Sequence, residues 1–216
     1  MRCRSAIFAG MAFGVLASLA MAGETPEELF ENLYGKEARR AAAVPREAAA
    51  FAATLIDAAA KVTDSPPVAL LLCRKAYEMA MKDKSGLTTA MSSLDMLDKL
   101  DPNAIAETTD KAQKLYEYAL RAEPEAKKKA AEALLTRLAA LAEAHLAAGK
   151  AAEAGDEFRR ASQVASAIND PAADNLQSRM KDAVAADKFN KEAARLAGLL
   201  SSDPKNHEVA KRLMML

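Results

Sequence analysis

Apolar side chains recur along the chain at intervals of three and four residues, the spacing that places them on one side of an α-helix. Pro and Gly interrupt this pattern repeatedly, most clearly at Pro66-Pro67, at Gly86 and at Gly149. These interruptions divide the chain after residue 25 into nine predicted helices. No sustained run of alternating β-branched residues occurs, so we expect no strand and an all-α protein of antiparallel helix pairs.

The predicted helices begin at residues that suit helix starts. Thr25, Pro26 and Glu28 predict a capping box with Pro at the first helical position. Ser65 is predicted to cap the third helix, just before the paired prolines. The eighth helix, from Pro171 to about residue 200, is weakly apolar, which is typical of a broken or curved helix.

The first 22 residues have the features of a cleavable export signal. Two arginines precede an apolar run from Ala6 to Ala20, and the run closes with a small-x-small pattern that ends at Ala22. The run is shorter than the ~20 residues that span a bilayer as a helix. We predict a signal peptide over 1–22 and an exported mature protein, periplasmic or extracellular, with no stable membrane span. An uncleaved anchor is the alternative.

Composition favours a helical core without disulfides. Alanine, the best helix former, makes up about a quarter of the chain, and Trp is absent. Lys plus Arg and Asp plus Glu each number 30, so the formal net charge of zero gives no broad attraction to nucleic acid. Cys3 lies in the predicted signal, which leaves Cys73 alone in the mature chain. Its apolar neighbours predict a buried, unreactive thiol; an intermolecular bridge is the alternative.

Residues 138–161 resemble a tetratricopeptide repeat, a unit of about 34 residues that forms two antiparallel helices. The family's large, large, small, turn-glycine, small, aromatic and small positions are matched in order by Leu138, Leu141, Ala142, Gly149, Ala154, Phe158 and Ala161. His145 departs from the pattern, because the family usually has Tyr or another large residue there. Weaker copies fit residues 72–102 and 203–213. The chain also resembles exported bacterial proteins of this repeat class.

The resemblance implies a fold, a domain organisation and a candidate site. Residues 23–216 are expected to form a single all-helical domain, stacked as a right-handed α-solenoid and ending within its last repeat. In this family the first helix of each pair lines a concave groove, which implies a protein or peptide site with one acidic contact. The implied groove residues are Thr136, Ala139, Glu143, Leu146 and Ala147. A solvated helix face that binds nothing is an equal alternative.

Patterns for catalysis or metal binding are scarce. Only His145, His207 and Cys73 offer imidazole or thiol groups after the predicted signal, and metal sites need three or four converging ligands. Glu143 and His145 are two residues apart, which places them about 200° apart around a helix. No nucleophile elbow, Walker A loop or dinucleotide-binding glycine motif occurs. We therefore expect no enzyme activity, no cofactor, no metal and no nucleic-acid partner.

Two functional hypotheses remain from the sequence. The first is a non-catalytic scaffold of the cell envelope or extracellular space that binds a protein or peptide. The second is a structural protein that self-associates through its apolar C-terminal helix, which carries Val209 and Leu213 and ends in Met214-Met215-Leu216.

Overall fold

The computed structural model describes residues 24–216, and the predicted signal peptide over 1–22 lies outside these residues. Residues 24–216 form nine α-helices and no strand, so the all-α prediction is confirmed. The helices are α1 (Pro26–Ala42), α2 (Pro45–Ala59), α3 (Pro66–Ala80), α4 (Leu87–Leu100), α5 (Ile105–Ala119), α6 (Pro124–Ala147), α7 (Ala151–Ala167), α8 (Ala173–Ser202) and α9 (His207–Met214). Short 3₁₀ turns, Lys84–Gly86 and Pro102–Ala104, precede α4 and α5.

Prolines begin four of these helices, at α1, α2, α3 and α6. The predicted capping box of α1 is present: the Glu28 N–H donates to Thr25 Oγ1 at 3.2 Å, and the Thr25 N–H donates to Glu28 Oε2 at 2.8 Å. Ser65 does stand at the N-cap of α3, but its side chain forms no capping hydrogen bond. The predicted role of Ser65 is therefore wrong, and α3 begins on its two prolines, whose nitrogens carry no hydrogen.

The first compact unit ends at Pro102 and contains α1 to α4. In it α2 packs against α1 and α3, and α3 packs against α4. Alanines such as Ala52 and Ala76 are fully buried and let the helices approach closely, while leucines fill the space between them. The leucines of this core are Leu55, Leu72, Leu94 and Leu97.

Two sequence predictions are confirmed in the core of the first unit. Cys73 is fully buried, and burial raises the pKa of its thiol to about 11. A thiol in this state is largely protonated at neutral pH and poorly nucleophilic. Gly86 lies in the turn before α4, where a Cβ would collide with the backbone of Ala80, so the close approach requires glycine.

The second unit begins at Asn103 and contains α5 to α9, each packed against the next helix along the chain. Its core has the same chemistry as the first: small alanines, leucines and one large ring, that of Phe158, which is fully buried. Leu138, Ala142, Ala154 and Ala161 are also fully buried, as the sequence pattern predicted. Gly149 joins α6 to α7 with φ +73°, a left-handed conformation that glycine adopts without strain.

The last two helices differ from the predicted ones in detail. Helix α8 is one continuous helix of 30 residues, so of the two predicted alternatives, a broken or a curved helix, the break is absent. Helix α9 begins at His207 rather than at Asp203-Pro204, because Asn206 caps it: the Val209 N–H donates to Asn206 Oδ1 at 3.2 Å. Within residues 24–216, no helix combines the length and apolar character needed to cross a membrane.

Candidate functional site

The five residues of the predicted groove lie along one side of α6. Thr136, Glu143 and Ala147 are exposed, and Ala139 and Leu146 are half-buried. The Thr136 hydroxyl donates to the Glu132 carbonyl of its own helix at 3.0 Å. This side of α6 therefore presents one large apolar side chain, that of Leu146, beside two alanines, a threonine and a glutamate.

The acidic side chain of this face is held by a residue of α8. The Glu143 carboxylate forms an ion pair with the guanidinium of Arg179. The same guanidinium lies over the ring of Phe158 on α7, 4.5 Å from its centroid. One arginine therefore joins α6, α7 and α8, and any ligand that binds Glu143 through a cation competes with Arg179.

Sequence reasoning missed Arg179 because it lies 36 residues after Glu143, on a helix outside the resemblance. No local spacing signals such a pair. A second missed residue is Arg137, which is only 3% exposed on α6 and donates from its guanidinium to the Ala133 carbonyl at 2.9 Å. A buried basic residue runs against the usual distribution of charges, and its sequence neighbours gave no sign of burial.

The two histidines lie in different surroundings on different helices. His145 is half-buried on α6, and its Nδ1 is shielded from water with no hydrogen-bond partner among residues 24–216. His207 is exposed at the start of α9. In the described part of the chain, no three His, Cys, Asp or Glu side chains come together as a metal-binding set.

Each unit has a shallow depression on its surface. In the first unit it measures ≈ 270 Å³ and lies between α1 and α2, where the ring of Phe51 is in edge contact with that of Tyr34, 6.4 Å between centroids. In the second unit a depression of ≈ 290 Å³ lies between α5 and α7 and is lined by Gln113, Tyr116, Arg160, Gln163, Val164 and Ala167. Both are near the lower size limit of small-molecule sites.

Large apolar side chains are exposed within α8 and at the end of α9. Phe189 on α8 is 47% exposed, and at the end of α9 Met214, Met215 and Leu216 are 87%, 67% and 47% exposed. We call these four residues the α8–α9 apolar patch. Helix α9 packs against α8 only through half-buried side chains and buries none of its residues fully. The patch is therefore apolar surface that the second unit itself does not cover.

Two carboxylates of α8 near the apolar patch form ion pairs with basic side chains of α8 and α9. Asp187 accepts from Lys191 at 2.8 Å, and Glu192 binds Arg195 at 2.7 Å and Arg212 at 3.8 Å. The hydrogen bond from Arg195, and after it the positive charges of Arg195 and Arg212, lower the pKa of Glu192. The carboxylates of this part of α8 are thus neutralised by cations of α8 and α9.

Comparison with known proteins adds no family to this description. No protein-family model, curated protein or solved structure matches the chain.

Proposed function

We propose that the protein is a non-catalytic interaction protein that binds a protein or peptide partner through exposed helix faces of its second unit. The α8–α9 apolar patch carries this proposal. Large apolar side chains left together in water are typical of surfaces that bind another molecule, whereas single exposed ones are common everywhere. Phe189 lies one turn before Glu192, and Met215 lies one turn after Arg212, the residue that pairs with Glu192. These exposed side chains fit an interaction surface, and the methionines among them adapt to different partners.

We further propose that the helix pairs form a tetratricopeptide-like repeat stack. Packing of consecutive helices, burial of the small and aromatic pattern positions and the left-handed glycine at 149 all support such repeats. In a repeat stack each pair adds surface without needing a catalytic constellation. The α6 face of Thr136, Ala139, Glu143, Leu146 and Ala147 is then the second candidate contact surface.

Self-association is the alternative function, and the same patch favours it. The exposed apolar side chains of α9 suit contact with another copy as well as with a different protein. Export to the periplasm or the exterior is the proposed location in both cases. Intact-mass measurement of protein purified from cells tests it: a mass beginning at residue 23 supports export, and one beginning at Met1 contradicts cleavage.

Site-specific photo-crosslinking in living cells tests the proposed function. A benzophenone amino acid replaces Phe189 in the patch, Ala147 on the α6 face or Ala53, an exposed alanine of α2 that serves as the matched control. We expect one protein to be trapped repeatedly at position 189 or 147 and not at position 53.

The adduct masses separate the outcomes. An adduct of twice the protein's own mass, confirmed by light scattering of the purified protein across a concentration series, indicates self-association. Equal adducts at all three positions, or none at 189 and 147, contradict a specific interaction surface. A turnover that is lost on changing His145 or His207 would contradict the non-catalytic proposal.

A further inference from the structure

The apolar surface of α8 continues past the end of α9. Leu196 is almost fully buried on α8, four residues after Glu192, whose carboxylate lies 3.8 Å from the guanidinium of Arg212 on α9. Phe189 stands seven residues before Leu196 and so lies on nearly the same side of α8. Yet Phe189 is half exposed. On this side of α8, Leu196 is buried but Phe189 is not. The exposed apolar surface thus consists of Phe189 on α8 and of Met214, Met215 and Leu216 at the end of α9.

Two lysines near the patch lack an ion-pair partner among residues 24–216. Lys188, beside Phe189, and Lys211, one turn before Met214 and Met215, are exposed and form no ion pair with another residue of 24–216. Glu208 is also exposed, but it lies in the first turn of α9, at the end away from Met214. A partner that buries the patch thus meets two unpaired ammonium groups at its rim, and acidic residues complement them.

We propose that the α8–α9 apolar patch binds an amphipathic helix of a partner protein that carries Asp or Glu beside its apolar stripe. A helix is the occupant that continues the existing packing, because α9 already packs against the following part of α8. Its apolar side chains at i, i+3 or i+4, and i+7 contact Phe189 and the two methionines, and its carboxylates lie against Lys188 and Lys211. This inference rests on the proposed function and names the class of partner.

A displayed peptide library tests the proposal directly. The peptides are about 20 residues long, with a fixed helical apolar pattern and flanking positions drawn from Glu, Gln and Lys. Selection on the immobilised protein is expected to enrich Glu at the flanks, and the affinity of the enriched peptides, measured by fluorescence anisotropy, falls as salt is raised. Enrichment of Lys, or no flank preference, overturns the proposal.

Matched variants show whether the selected peptides use this patch. Phe189→Ser and the pair Met214→Ser with Met215→Ser are each expected to weaken binding about tenfold or more. Lys188→Glu with Lys211→Glu is expected to shift the preferred flank from Glu to Lys. The control is Val184→Ser, an exposed apolar residue of α8 about 140° around the helix from Phe189, which leaves binding unchanged. All the substituted side chains are exposed, and circular dichroism melts confirm that each variant folds.

Other occupants give different results. Sedimentation with vesicles containing anionic lipid that depends on Phe189, without any peptide enrichment, replaces the helix with a membrane surface. A concentration-dependent dimer that Phe189→Ser abolishes replaces it with a second copy. If a partner is trapped from position 147 and the patch variants bind it normally, this proposal fails while the proposed function stands.

Discussion

Arg179 is the residue through which three helices of the second unit are joined. Removing its side chain in Arg179→Ala breaks the ion pair with Glu143 and the contact with the Phe158 ring. Both partners of the ion pair are more than a third exposed, so water screens much of their attraction. We expect the free energy of unfolding to fall by about 1 kcal/mol, as the sum of a weak ion pair and a partly exposed cation–π contact. Urea denaturation at low and high salt measures it.

Arg159→Ala is the matched control for this change. Its guanidinium pairs with Asp156 at 2.8 Å within a single turn of α7, with both side chains exposed. Such a pair contributes about 0.3–0.5 kcal/mol. An Arg179→Ala effect no larger than that of Arg159→Ala would mean that the connection between α6, α7 and α8 does not stabilise the unit.

At the scale of the element, substitution by alanine is expected to change stability in opposite directions at two glycines. Gly149 has φ +73°, so Gly149→Ala forces an L side chain into the left-handed region and costs about 1–2 kcal/mol. Gly198 lies inside α8, with no atom within 4 Å of where a Cβ would stand. There Gly198→Ala is expected to stabilise the protein by about 0.5–1 kcal/mol, since alanine is the better helix former. Thermal melts of the two variants against the parent show the signs; destabilisation by both would contradict the helix-propensity argument.

The elements also show what the sequence predicts well and what it does not. All nine helices follow from apolar spacing and from Pro and Gly, which act through local backbone geometry. The capping hydrogen bond predicted at Ser65 is absent and the one at Asn206 was missed, because several polar residues near a helix start are chemically able to cap it and only the backbone path selects one. The candidate face of α6 was implied by the repeat resemblance, but its contact with Arg179 could not be predicted, because that contact depends on how α8 packs. The sequence did allow one prediction that was not made: Phe189 lies seven residues before Leu196, so the two share one side of α8.

At the scale of the whole molecule, the chain divides into two compact units between Pro102 and Asn103, and the single domain expected over 23–216 stays a prediction. Each unit has its own set of fully buried large side chains, Leu55, Leu72, Leu94 and Leu97 in the first and Leu115, Leu134, Leu138 and Phe158 in the second. A core of this kind allows a chain segment to fold without the rest of the protein. The two segments therefore provide a direct test of whether the chain is one domain or two.

We expect residues 24–102 and 103–216, produced separately, each to give a helical circular dichroism spectrum and a cooperative thermal transition. The shorter segment, at about 80 residues, buries a smaller fraction of its surface and is expected to melt first. Calorimetry of the intact protein provides the comparison. Two transitions that match those of the segments would establish two domains. A single transition, together with a segment that is unfolded alone, would show that its core depends on the rest of the chain, as a continuous repeat stack requires, because each repeat there is stabilised by its neighbours.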